Sequence, residues 1–290
     1  MNKWLRRLLV GVGSLVALLL LASAVIYGVS ESRLRREYSL TGQALRVTSD
    51  PAQVARGRHL ATAVSKCADC HGDNLGGKLF IDGGPVFTLY ATNLTRGKGG
   101  VLPGYTDAQL ELAIRHGVGP DRRPLLFMPS QEFNALSDED AAAIIAYLRS
   151  LPPVDNQLPA SRVRTLGRAL YLAGALPLVP AEMIDHDKPR RTVPAVAATR
   201  EYGEYMAVVG GCRGCHGPTL AGDHGSPDIT PAGIGAWTEA DFFKAMRTGV
   251  RPDGTRIDEF MPWKSVGKLS DTELRALWMY LESVPVVETK

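Results

Sequence analysis

The chain has 290 residues, 45% of them apolar and 22% charged, with a formal net charge of +3. That composition belongs to a folded protein long enough for two domains with their own cores, and excludes a disordered tract. Basic and acidic residues are interspersed without a lysine/arginine block, which excludes a nucleic-acid surface.

After Lys3, Arg6 and Arg7, residues Leu8 to Val29 carry no charge. As a helix rising about 1.5 Å per residue this run is roughly 33 Å long, enough to cross a hydrocarbon core of about 30 Å. Residues 1–30 are therefore expected to form a membrane anchor. The alternative is a cleaved signal peptide, because Ala22-Ser23-Ala24 fits a small-residue cleavage site. Against it, the apolar run continues through Val25, Ile26 and Val29. Either way the chain beyond residue 30 is expected to be exported. A single membrane crossing is expected, with the folded domains on the exported side. Residues 31–50 read as a juxtamembrane linker.

The first folded unit is expected at 51–154 and contains Cys67-Ala68-Asp69-Cys70-His71. The second, at 201–290, contains Cys212-Arg213-Gly214-Cys215-His216. All four cysteines of the chain lie in these two stretches. A redox disulfide does not need a histidine directly after the pair, and zinc usually takes four ligands from paired cysteine motifs. Cys-x-x-Cys-His is instead the attachment signature of c-type haem. Two thioethers reach the porphyrin from one helical turn, and the next side chain points at the iron. Two covalently attached haem c groups are expected, with His71 and His216 as iron ligands.

The sequence after each motif repeats almost without gaps. Each unit reads as a haem-bearing helix, a long loop, a middle helix, a methionine-containing loop and a closing helix. Thr106 with Gln109, Ser137 with Asp140, Thr238 with Asp241 and Ser270 with Glu273 are helix-start pairs. Gly117 and Gly249 close the middle helices. Apolar residues recur at helical spacing at Leu110, Ala113 and Ile114, and at Leu274, Leu277, Trp278 and Leu281. No strand alternation stands out, so the expected class is all-α: two tandem domains after an N-terminal transmembrane helix.

Met128-Pro129 and Met261-Pro262 occupy matching places, 57 residues after His71 and 45 after His216. These methionines are expected as the sixth iron ligands, with the proline holding each loop extended. Thioether ligation opposite histidine raises a haem's potential. The first unit carries extra residues around 78–100. Met246 and Met279 lie inside helices and read as core. His59, His116, His186 and His224 read as surface or supporting residues. Asn93, Thr95 and Trp237 are candidate donors to haem propionates, and Phe127, Phe260 and Trp263 candidates for an apolar rim. The 155–200 stretch is proline-rich. Its apolar segment is interrupted by Arg168, Gly174, Pro177 and Pro180, so it is expected as a linker whose helix, Thr165 to Leu176, packs between the two units. Its alternative seats are the membrane surface and a partner subunit.

The pattern "RGRHLATAVSKCADCHGDNLGG … NLT … MPS … LSDEDAAAIIAYLRSLPPV" resembles the class I c-type cytochromes, over about 54–154 and 201–287. More narrowly it is similar to the cytochrome subunits of membrane-bound alcohol, gluconate and related dehydrogenases. The resemblance implies a periplasmic electron-transfer subunit, no enzyme by itself, passing electrons between redox protein partners: from a dehydrogenase or quinol-side donor to a downstream cytochrome or terminal oxidase. Those subunits commonly carry three haems and a C-terminal attachment, whereas this chain has two motifs and an N-terminal helix. The rival readings are a di-haem peroxidase, which needs an openable iron, and a cytochrome stably bound in a dehydrogenase complex.

Overall fold

The apolar run forms helix α1, Lys3–Leu34, which starts on the Asn2 side chain and buries no residue before Ser30. The helix is long and apolar enough to cross a membrane, and Leu8, Leu18 and Leu20 are all more than half exposed. The computed structural model describes residues 2–188, 194–223 and 225–286. His224, Arg190, Arg191 and the last four residues of the expected second unit lie outside that range.

From residue 51 the chain builds one series of helices twice. The first series is α2 (Pro51–His59), α3 (Cys67–His71), α4 (Asp107–His116), α5 (Ser130–Phe133) and α6 (Asp138–Ser150). A hairpin, β1 (Lys78–Asp82) and β2 (Phe87–Ala91), lies between α3 and α4; β3 (Arg162–Val163) and α7 (Thr165–Leu172) come after α6. The second series is α8 (Arg200–Val209), α9 (Cys212–His216), α10 (Pro231–Ile234), α11 (Glu239–Thr248), α12 (Trp263–Val266) and α13 (Asp271–Ser283).

The expected all-α class needs a correction, since the molecule is mostly helical, 50% helix, but 7% strand. The extra residues of the first half form a hairpin, and β3 from the linker adds to it an antiparallel third strand in the order β1-β2-β3. Lys78 pairs with Ala91 and Leu79 with Tyr90, then a bulge shifts the register so that Ile81 meets Leu89. A bulge breaks the period-two pattern by which a strand is recognised.

In each half the first and last helices cross at a glycine. A Cβ on Gly57 would fall on the carbonyl of Ala143, and one on Gly203 on the carbonyl of Ala276. These positions are equivalent, yet Gly57 precedes Cys67 by ten residues and Gly203 precedes Cys212 by nine. The first half absorbs its extra residue in a π turn, Leu60–Val64, closed by the Ser65 amide on the Leu60 carbonyl at 2.7 Å. Such single turns accommodate one inserted residue within a helix.

One apolar core runs through both halves, joining Leu60, Ile144 and Leu148 to Tyr202, Met206, Leu274 and Leu281. The expected seat of the linker helix is also corrected. Helix α7 stops at Leu172, followed by Gly174 at φ +76, and packs on α1 instead of between the units. Arg168 is 9% exposed and needs an acid. It bonds Ser30 Oγ at 2.9 Å and Glu31 Oε2 at 2.8 Å, and lies over the Tyr27 ring at 4.2 Å. Arg33 pairs with Glu182 at 2.5 Å and covers the Tyr171 ring at 4.4 Å.

Candidate functional site

Each Cys-x-x-Cys-His stretch is a five-residue helix that starts abruptly. Lys66 and Gly211, just before the first cysteine, take left-handed backbone at φ 50 and 71. Leu75 and Leu220 repeat that conformation at φ 55 and 63, in side chains with almost no exposure. Bulky residues hold left-handed backbone only where the surroundings over-determine it. The second half repeats even this strain.

The imidazoles are fixed in the same way. His71 Nδ1 lies 2.7 Å from the Thr92 carbonyl and His216 Nδ1 2.7 Å from the Pro227 carbonyl. A carbonyl can only accept, so Nδ1 carries the proton and Nε2 keeps its lone pair. That is the tautomer a metal-binding histidine needs, with its outer N–H tied down. Burial pushes the Cys67 thiol up to about 12, the reverse of the low pKa that thiol exchange requires. Among the described residues no three histidine, cysteine, aspartate or glutamate side chains converge as a zinc site would require.

Met128 and Met261 both pack at the edge of the shared core. The proline after each makes the corner of a tight turn instead of prolonging an extended loop: Pro129 and Pro262 have φ −76, with ψ 54 and 49. The next amide returns to the methionine carbonyl at 2.7 Å in both halves, an inverse γ-turn leading into α5 and α12. Two thiols on one turn, an imidazole with Nε2 left as acceptor and a thioether ahead of a short helix make a donor set that fits covalent haem, twice.

Asn93 and Thr95 spend their hydrogen bonds on the loop itself. Asn93 Nδ2 donates to the Val154 carbonyl at 2.7 Å; its Oδ1 accepts from the Thr95 amide and hydroxyl at 3.0 and 2.8 Å. Trp237 packs against the shared core. Of the aromatic candidates, Phe260 is bare at 82% exposure and Trp263 is part-buried. Phe127 lies under the hairpin, with Phe80 and Phe87 each 6.1 Å away between ring centroids. His59 Nε2 bonds Glu273 in the other half at 2.6 Å, and His116 pairs with His186 through Nδ1 atoms 2.9 Å apart.

Sequence reasoning missed the side chains that join the two attachment turns: Lys66, Asp69, Glu132 and Ser265. The ammonium of Lys66 reaches the Gly210 carbonyl, and Ser265 Oγ donates to Asp69 at 2.8 Å. None is a residue that the motif fixes, Asp69 filling one of its variable positions, and only the docking of the halves brings them together.

Known proteins give the same picture. The chain is 30% identical over 262 residues to the fructose dehydrogenase cytochrome subunit of Gluconobacter japonicus, covering 80% of this chain and 52% of that one. It is 28% identical over 288 residues to the cytochrome c subunit of alcohol dehydrogenase (quinone) from Gluconacetobacter polyoxogenes, covering 86% and 60%. This chain therefore spans about half to three fifths of those relatives. A diheme cytochrome c-type protein of Cereibacter sphaeroides, 26% identical over 287 residues, is matched over 92% of its length. A family model described as cytochrome c oxidase, cbb3-type, subunit III matches residues 52–148 and again 200–281. The protein is an electron-transfer cytochrome c carrying covalently bound haem c, and it belongs to that family.

Proposed function

We propose that the chain is a membrane-anchored, periplasmic di-haem cytochrome that moves electrons from a dehydrogenase or quinol-side donor to a downstream cytochrome or terminal oxidase. Residues 51–154 and 201–290 are read as tandem class I cytochrome c domains. Cys67 and Cys70 would hold one haem by thioethers, with His71 and Met128 as the ligands to its iron. Cys212, Cys215, His216 and Met261 would do the same for the other. Bound there, the haem iron supplies one-electron chemistry by cycling between two oxidation states.

The chain's own residues supply the rest. The Thr92 and Pro227 carbonyls orient the two imidazoles and raise their basicity. The Pro129 and Pro262 turns fix where each methionine leaves the backbone. With an imidazole and a thioether offered at each site, the chain would leave no open ligand position, which suits transfer and not peroxide chemistry. Partners are expected at the second unit, where Phe260 is bare beside Met261, whereas hairpin rings cover the matching Phe127. An exposed apolar residue of this kind suits a small, rapidly exchanging contact.

The observation that carries the reading is the double occurrence of one constellation, an imidazole tied to a carbonyl with a Met-Pro turn. Met128→Ala and Met261→Ala should each lower the potential of one haem and let that haem bind carbon monoxide when reduced. An unchanged titration at either position would remove that methionine as a ligand. Rapid carbon monoxide binding by the unaltered protein would favour the peroxidase reading. The names of the relatives support a second reading, a stable place in a dehydrogenase complex; co-purification in mild detergent tests it.

A further inference from the structure

The two halves are wired crosswise. Glu132 on α5 and Ser265 on α12 are equivalent, each three residues after its Met-Pro proline, and Asp69 and Gly214 are equivalent within the two attachment turns. Ser265 of the second half donates to Asp69 in the attachment turn of the first at 2.8 Å. In return, Glu132 of the first half lies on the attachment turn of the second. A Cβ on Gly211 or on Gly214 would land on its carboxylate oxygens. Each methionine-loop helix therefore rests on the other half's haem-bearing turn.

The exchange is not symmetrical in charge. The carboxylate at the first turn, Asp69, is exposed and satisfied by a hydroxyl donor. The one at the second turn is part-buried, and burial raises its pKa against the opposing charge of Lys66. The Lys66 ammonium is itself spent on the Gly210 and Val64 carbonyls. A carboxylate in less water acts more strongly on its neighbours. Next to a haem it favours the more positive, oxidised iron.

We infer that Glu132, although four residues from Met128, is the tuning residue of the second haem, holding that potential down across the interface. This rests on the haem sites proposed above and deepens them. It supplies a reason for the two repeated units to differ in potential, and it ranks the second haem as the stronger donor of the pair.

The test is a spectroelectrochemical titration of the intact di-haem protein. Glu132→Gln should raise the second couple by about tenfold in its equilibrium, ~59 mV for one electron, and leave the first couple and the optical spectra of both haems in place. Glu132→Asp keeps the charge and should stay near the unaltered protein. Met261→Ala assigns the second couple. Should it move neither, the ligand reading fails, and loss of one couple in Cys212→Ala assigns it instead. A shift of the first couple, no shift in either, or equal shifts in Glu132→Gln and Glu132→Asp would overturn the inference.

Discussion

Glu273 caps the first turn of α13 and at the same time holds two side chains from the other half of the molecule. One oxygen accepts from the Ser270 amide at 2.9 Å and from His59 at 2.6 Å. The other accepts from Arg56 at 3.2 Å and Tyr202 at 3.3 Å. Burial opposes its charge, but the His59 and Ser270 hydrogen bonds prevail and hold the carboxyl at about 2, below its ordinary 4.5. A depressed carboxylate stabilises the fold above the unfolded pKa and loses that contribution as pH falls through the folded one. The window is therefore pH 4.5 down to 2, and the contribution is on the order of 3 kcal/mol at 1.36 kcal/mol per pH unit. Urea denaturation of Glu273→Gln should show it weaker than the unaltered protein at pH 7, with the gap closing toward pH 2. A gap independent of pH would place the loss in packing. Asp140, the equivalent residue of α6, instead accepts a two-pronged Arg56 pair at 3.0 and 3.1 Å and the Tyr205 hydroxyl at 2.7 Å.

At the scale of elements, much was legible in local chemistry. Thr106 with Gln109, Thr238 with Asp241 and Ser270 with Glu273 form reciprocal capping boxes. Ser137 with Asp140 forms only the forward half, because Arg56 and Tyr205 claim the Asp140 carboxylate. The hairpin was hidden by its bulge, and the π turn by a one-residue offset that an almost gap-free repeat does not reveal. The helix crossings make a sharper test. Glycine inside a helix is ordinarily about 1 kcal/mol worse than alanine, so Gly203→Ala would be expected to stabilise. The Ala276 carbonyl occupies the added methyl's place, and overpacking of this kind costs about 1–3 kcal/mol. The expected outcome is a net loss in urea denaturation at pH 7; a gain would mean the helices can move apart.

At the scale of the molecule, the Cys-x-x-Cys-His motifs and Met-Pro loops stood in the linear sequence because haem attachment, and the axial ligation proposed for the methionines, would demand fixed residue types in order. What joins the halves did not, because Arg56, His59 and Glu132 find their partners only through docking. The seat of α7 was equally invisible: it depends on Arg168 meeting Ser30 and Glu31, 138 and 137 residues away. Arg168→Ala removes the guanidinium that bonds Ser30 and Glu31 and covers the Tyr27 ring, so it should loosen α7 from α1. Limited proteolysis in detergent is expected to cut near 165–176 faster than in the unaltered protein, with the haem spectra unchanged. Equal cutting rates would mean the clamp is not what holds α7.

That junction does not stand alone. Beyond α1 the chain stays fastened to the first half, with the Tyr38 amide on the Arg122 carbonyl at 2.9 Å and the Gln43 amide on Glu111 at 3.1 Å. In an anchored chain, the redox centres would then ride on a stiff mast and not on a slack leash. Their altitude over the lipid headgroups would be constant, and collisions would be restricted to proteins presenting an acceptor at that same level.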